Sequence, residues 1–300
     1  MQKLLSALIL TAFVGLTTFA HDDNSHFEKQ QEVTVKVTKI SGNVYMLQGR
    51  GGNIGAIVGQ EGILIIDDDY KVVSEKLSAA LKELGSAVPK YIVNTHWHGD
   101  HTEGNEFFGK QSIIIAHEKV RKRLTDPPVI FGQKTAPYQP FALPAITYSE
   151  RMHLYFDGDQ IDMIYLPAGH TDGDTMVIFN TAKVVHLGDH YFNGRFPFVD
   201  LASGGSVQGL INNIGTAIAM MPPDVKVIPG HGPLATLDDV KSYQQTLTET
   251  SKIVQDAMKK GLSLDEIKKA GLPEKYKAYG SGFIKTDAWI ETVYNSYSKK

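Results

Sequence analysis

The sequence predicts an α/β (α+β) chain built as a four-layer αββα sandwich, with two mixed β-sheets face to face and helices outside. Three observations carry that prediction. Short apolar runs bounded by glycine-containing turns alternate with helical patterns. The order of strands followed by helices occurs twice, once in each half of the chain. The 300 residues, 42% of them hydrophobic, suffice for one large core or two small ones.

In the first half, Val33, Val35 and Val37 alternate with polar residues as a half-buried strand does. Val44–Leu47, Ile54–Val58 and Gly62–Ile66 follow as strands, and Tyr70–Leu84 reads as a helix stopped by Gly85. Tyr91–Thr95 is the next strand, Thr102–Phe108 the start of a helix, Ile113–Ile115 a strand and His117–Leu124 a helix. Residues 125–146 hold five of the 13 prolines and no period, so they read as a long loop near the site, either contacting substrate or serving as a structural crossover.

In the second half, Tyr148–Tyr155, Gln160–Tyr165, Thr175–Phe179, Lys183–His186 and Val225–Ile228 are strand candidates, and Val207, Leu210, Ile211, Ile214 and Ile218 mark one face of a helix. Thr236 with Asp239 and Ser263 with Glu266 match capping boxes. Leu237, Val240, Tyr243, Leu247, Val254 and Met258 trace an apolar helical face, and a final helix spans about Thr286 to Tyr297. These helices, 236–300, are expected to pack on the core of 33–235.

The chemistry concentrates at the end of the strand Tyr91–Thr95. His96, His98, Asp100 and His101 crowd one turn, a density of imidazole and carboxylate that suits a borderline-soft divalent cation, zinc above all. A histidine-rich polar loop would need no partners elsewhere, yet three more donors sit in glycine-flanked turns after strand-like runs: His170, Asp189 and His231. Seven candidate ligands fit two metals better than one.

The pattern His-x-His-x-Asp-His, then a distant His, then Gly-Asp, then Gly-His-Gly, resembles the metallo-β-lactamase-fold hydrolase superfamily, with the matched motifs spanning 95 to 233. The resemblance implies that His96, His98 and His170 hold one metal, that Asp100, His101 and His231 hold the other, and that Asp189 bridges them. It implies the αββα fold and catalytic roles for Asp100 and Asp189, with Asp67 steadying the metal loop. Two cations roughly 3.5–4 Å apart clamp a hydroxide that exists near neutral pH. Hydrolysis of an ester, thioester, lactone or amide-type bond is therefore expected. The cofactor expectation is two divalent ions, Zn2+ first, with iron or manganese open.

The absence of cysteine departs from the best-known β-lactamase ligand set, and Asp189 in its place resembles glyoxalase II and the lactonases. β-Lactam ring hydrolysis stays as one alternative, and an iron-dependent sulfur oxidoreductase of the same fold as another. A glutamate is expected at the second ligand position in flavodiiron oxygen reductases, so His98 favours hydrolysis. His117 and His153 lack ligand-like context, and His190 is expected to point away from the metals. Trp97 is expected to pack beneath the loop. Tyr191, Phe192 and Phe196 either line the pocket or fill it, core being the expected role, and Asp68 and Asp69 read as turn and cap residues.

Met1–Lys3 is short and basic, Leu4–Phe19 apolar, and Thr18-Phe19-Ala20 resembles a cleavage site. Residues 1–20 thus read as a signal peptide, 21–32 as a flexible mature amino terminus bearing His21 and His26, and the protein as periplasmic or secreted. Zero cysteines suit that oxidising space. Lys3 is the only charge within 1–20, so removing one from 30 basic residues leaves 29 against 33 acidic, a net of −4. That mild acidity argues against nucleic acid or stable membrane partners and leaves a small-molecule substrate. Nothing in the pattern sets an oligomeric state.

Overall fold

A computed structural model describes residues 33–130 and 133–298. The signal peptide expected over 1–20 and the segment 21–32, with His21 and His26, lie outside the described residues.

In chain order the strands of the first half are β1 (Lys36–Ser41), β2 (Val44–Gln48), β3 (Ile54–Gly59), β4 (Gly62–Ile66), β5 (Tyr91–Asn94), β6 (Ile113–His117), β7 (Val129–Ile130), β8 (Gln133–Lys134) and β9 (Ile146–Tyr148). Those of the second are β10 (Arg151–Phe156), β11 (Asp159–Leu166), β12 (Asp174–Phe179), β13 (Val184–His186), β14 (Lys226–Ile228) and β15 (Ala235–Thr236). The helices are α1 (Ser74–Leu84), α2 (Gly99–Thr102), α3 (Asn105–Phe108), α4 (Glu118–Thr125), α5 (Val207–Met220), α6 (Leu237–Lys259), α7 (Leu264–Ala270) and α8 (Thr286–Ser298).

The strands form two mixed sheets, ordered β1-β2-β3-β4-β5-β6-β9 and β10-β11-β12-β13-β14-β15, while β7 and β8 pair alone. In the first sheet β1 to β4 are antiparallel and β4, β5, β6 and β9 run parallel. Strands buried on both faces explain the near-continuous apolar runs, because successive side chains point to opposite sides. In β4, Leu64 and Ile66 enter the core between the sheets, where Phe156, Ile161, Met163, Val177, Phe179 and Val184 of the second sheet meet them. Ile63 and Ile65 face the other way, onto Leu77 and Leu81 of α1. The outer face of the second sheet, with Met176, Val185 and Val227, packs on α5, α6 and α8 through residues such as Leu210, Val240 and Trp289.

Both anticipated capping boxes form: the Thr236 hydroxyl accepts from Asp239 N at the start of α6, and Ser263 does the same from Glu266 N for α7. Four segments differ from the pattern. The run Val33–Val37 enters the sheet only at Lys36. Thr102–Phe108 is not one helix start; α2 and α3 are single turns, because the chain bends at Gly104, whose N–H donates to Asp69 O at 3.1 Å. Tyr148–Tyr155 is two strands in different sheets: Tyr148 pairs with His117 in the first, and β10 opens the second. The helix expected from Tyr70 begins as a 3-10 turn, Lys71–Val73, before α1, and Gly85 ends it at φ 136°.

Candidate metal centre

All seven candidate ligands converge. The first four follow β5, His170 lies between β11 and β12, Asp189 in a 3-10 turn after β13, and His231 after β14. They therefore sit beyond the carboxyl ends of strands from both sheets, the usual site location in α/β folds. His96, His98, His170 and Asp189 form one group, and Asp100, His101 and His231 a second; within each, the donor atoms lie within 4.8 Å of one another. Asp189 faces both: Oδ2 is 3.4 Å from His170 Nε2 and 3.8 Å from His96 Nε2, while Oδ1 is 3.1 Å from His101 Nε2 and 3.4 Å from His231 Nε2. Asp100 Oδ2 is 3.2 Å from His231 Nε2 and 3.5 Å from His101 Nε2.

The far nitrogen of each ring shows which lone pair is free. His170 Nδ1 donates to the Phe198 carbonyl at 2.7 Å, so its Nε2 is bare. His98 Nε2 donates to the Asp200 carboxylate at 3.1 Å, so its Nδ1 is bare. Those two bare nitrogens lie 2.8 Å apart, a repulsive arrangement unless a cation sits against both. His101 Nδ1 donates to Asp67 Oδ2 at 2.7 Å, and His96 Nδ1 lies 3.0 Å from the Thr95 hydroxyl, which itself donates to Asp67 Oδ2 at 2.7 Å. One carboxylate thus orients a histidine of each group. The buried His96 Nε2, His101 Nε2 and Asp189 Oδ1 have no hydrogen-bond partner. Oriented rings with their inner atoms left unsatisfied fit a resident metal pair.

Backbone closeness enforces the same geometry. A Cβ on Gly52 would come 2.1 Å from the His101 ring, and one on Gly230 2.0 Å from Asp189 Oδ1. Asn53 joins the β2–β3 turn to the His231 turn, donating to the carbonyls of Pro229 and Gly232, each at 2.9 Å.

The two groups differ in charge. Burial pushes His96 well below its ordinary value and His170 down to about 4, so these two present neutral imidazoles. In the second, burial would also depress the histidines, but Asp189 and Asp100 outweigh it, holding His101 well above the usual range and His231 up at about 9. Burial opposes the ionised form of Asp189, yet the surrounding histidines, His231 foremost, hold it well below the ordinary carboxylate value. The second group favours positive charge of some kind, whether proton or metal.

The centre opens into a cavity of about 660 Å3. The 125–146 segment contributes Pro127, Pro128, Thr135 and Tyr138 to its wall. Trp97 packs on Val120 and Leu124 as expected, but it also lines this cavity; Phe192 and Phe196 likewise serve as both core and wall, whereas Tyr191 is core alone. His190 is buried beside Asn213, whose Nδ2 is 3.0 Å from His190 Nε2, and it belongs to neither ligand group. Asp69 does cap a turn, accepting from the backbone of Arg50, Gly51 and Tyr70, while Asp68 is wholly buried, which a turn residue need not be. His117 caps α4 and His153 pairs with Asp162. Sequence reasoning missed Asp200, Gly52 and Asn53; the Gly51-Gly52-Asn53 run after a strand was the available signal.

A two-sheet αββα sandwich carrying seven convergent donors at one edge defines a metal-dependent hydrolase fold. The metallo-beta-lactamase superfamily profile matches residues 38–232, and the chain belongs to that superfamily. It is 28% identical over 190 residues to the hydroxyacylglutathione hydrolase GloC of Haemophilus influenzae, covering 59% of this chain and 84% of the relative. It is 24% identical over 264 residues to the alpha subunit of 2,4-dinitroanisole O-demethylase from a Nocardioides species, covering 85% of this chain and 76% of that one. Among solved structures, a metallo-beta-lactamase from Pontibacter korlensis superposes with a TM-score of 0.60 at 19% identity, over 72% of this chain and 99% of its own. The sec-alkylsulfatase Pisa1 from a Pseudomonas species gives 0.65 at 14% identity, over 88% of this chain and 50% of its own. These structural likenesses show the fold, and the chain is a metal-dependent hydrolase of this superfamily.

Proposed function

We propose that this protein is an exported dinuclear zinc hydrolase that cleaves an ester, thioester, lactone or amide-type bond. The observation that carries the reading is the pair of facing donor groups, joined by Asp189 through one oxygen each, with bare nitrogens turned inward. Two zinc ions held there would supply Lewis acidity and a nucleophile at neutral pH. Asp100 and Asp189 are the catalytic carboxylates: Asp189 holds both groups in register, and Asp100 stands beside His231 at the cavity wall, where it orients the attacking water. Trp97, Phe192 and Phe198 give the cavity apolar surface beside that point. The likeness to a hydroxyacylglutathione hydrolase supports an acyl-transfer substrate. Export rests on the signal-like residues 1–20.

The test is metal analysis of the purified mature chain alongside hydrolysis of a hydroxyacylglutathione, aryl esters, an acyl lactone and a chromogenic β-lactam, with and without chelator. Two zinc ions per chain and chelator-sensitive turnover of one of the first three are expected. One metal per chain, or turnover indifferent to chelation, would refute the dinuclear mechanism, and turnover of the β-lactam alone would move the protein among the β-lactamases.

A further inference from the structure

The cavity wall away from the ligands has a composition that narrows the substrate. Phe196, Phe198, Phe283 and Ile284 make it apolar. Phe283 is 77% exposed, an aromatic ring at the rim with no core to fill. Two cations, Arg50 and Arg195, line the same cavity, and neither guanidinium has an ion-pair or hydrogen-bond partner among the described residues. Arg123 shows the contrast: it is bound bidentately to Asp172, at 2.7 and 2.8 Å. Arg195 and Phe283 stand on abutting segments, since Phe196 N donates to Tyr279 O at 3.0 Å and a Cβ on Gly282 would come 3.0 Å from Arg195 Cβ. Phe283 and Ile284 lie beyond the superfamily match, so they add a carboxyl-terminal portion to a wall that Arg195, Phe196 and Phe198 begin within it.

Charge points the same way. The acidic groups on the wall are Asp100, Asp189 and Glu103. With the first two facing the metal donors, Glu103 is the acidic group of the wall left to oppose the two guanidinium groups. A guanidinium left unpaired at a cavity wall is suited to two oxygens of a carboxylate or a sulfate-like oxyanion.

From the unpartnered Arg195 beside the exposed Phe283 on this wall, we propose that the substrate is an anionic amphiphile: an ester-type bond at the metal centre, an apolar or aromatic arm against Phe196 and Phe283, and a carboxylate- or sulfate-like group held by Arg195. The proposal rests on the hydrolase reading for the bond that breaks, but not for the recognition. Arg195 and Phe283 are then specificity residues.

Binding tests it apart from catalysis. Calorimetric titration of the zinc-loaded protein compares 4-phenylbutyrate with 4-phenylbutanamide, which share an arm and differ in charge, and with acetate, which has charge and no arm. The carboxylate should bind roughly tenfold tighter than the amide, the scale of one charge-assisted hydrogen bond. Arg195→Gln should reduce that preference below about threefold. Phe283→Ala should weaken both phenyl ligands by roughly threefold to tenfold and leave acetate unchanged. Both side chains are at the surface of the cavity, and unchanged melting temperatures establish that the variants fold. A carboxylate preference that survives Arg195→Gln and Arg50→Gln would place the anion on the metals and overturn the proposal, as would indifference to Phe283→Ala. If the binding pattern holds while no ester, thioester or lactone is turned over, the hydrolase reading fails and the recognition stands.

Discussion

Replacing Asp67 by Asn changes one buried oxygen to an amide and should weaken metal binding at the second donor group. Asp67 is fully buried and accepts three hydrogen bonds of 2.7 Å, from Thr95 N on Oδ1 and from Thr95 Oγ1 and His101 Nδ1 on Oδ2. Asn keeps the shape and tolerates the φ of 63° found here. It cannot accept on both sides. With its oxygen toward His101, its NH2 opposes the Thr95 N–H; flipped, the NH2 opposes His101 Nδ1 and drives the ring proton onto Nε2, the atom needed for metal. Either orientation loses at least one hydrogen bond to a charged acceptor, about 1.5–3 kcal/mol. At 1.4 kcal/mol per factor of ten, that is roughly a tenfold to hundredfold loss of affinity, the range known for removing such supporting partners. His101 bonds Asp67 directly and His96 only through Thr95, so the second group should suffer more than the first. Titration against a chromophoric chelator measures both affinities, and circular dichroism checks the fold. Two affinities within threefold of the parent protein would refute the assignment of Asp67 as the residue that sets the ring orientation.

Other perturbations are equally specific. Asp189→Ala and Asp100→Ala should each leave the fold largely intact and lower kcat/KM by more than the ~10²–10³ lost with a single oxyanion donor, read by steady-state hydrolysis. Metal binding to the second group should strengthen by up to tenfold per pH unit for the His231 proton as pH rises toward 9, because a proton held there up to about pH 9 must leave first; His170, lowered to about 4, adds no such dependence above pH 6. The raised His231 also makes the metal-free protein most stable below its unfolded value near ~6.5, with that contribution lost as pH rises through about 9, measurable as a falling Tm that zinc restores. His117→Ala should cost about 1–2 kcal/mol by removing the α4 cap and a ring stacked on Tyr165 at 3.9 Å, with kcat/KM unchanged.

The ligands were legible in the sequence because metal donors are few in kind, and four of them fall within six residues after a strand. His170, Asp189 and His231 could be found because sharp turns between strand and site demand glycine beside them. Asp200 offered no such mark: an aspartate before Leu-Ala-Ser reads as an ordinary cap, which it is through Oδ1, and its partner His98 is 102 residues away. Periodicity reported the strand Tyr148–Tyr155 but not its division, since alternation along a chain is blind to which sheet a residue joins. Phe192 and Phe196 are compatible in sequence with lining the pocket or filling it, and Trp97 with packing beneath the loop, because hydrophobicity does not distinguish a wall from a core.

The metal groups draw ligands from both halves of the sandwich. His96, His98, Asp100 and His101 follow a strand of the first sheet, whereas His170, Asp189 and His231 follow strands of the second, and each group contains members of both. Cations held there act as rivets through the seam between the sheets. Two fragments produced by cutting the chain between β9 and β10 would each retain an incomplete claw, and a bound divalent metal would become the glue of their reassembly. Metal starvation would therefore do more than silence the protein, because it would loosen the seam and hand the chain to proteases at the crossover.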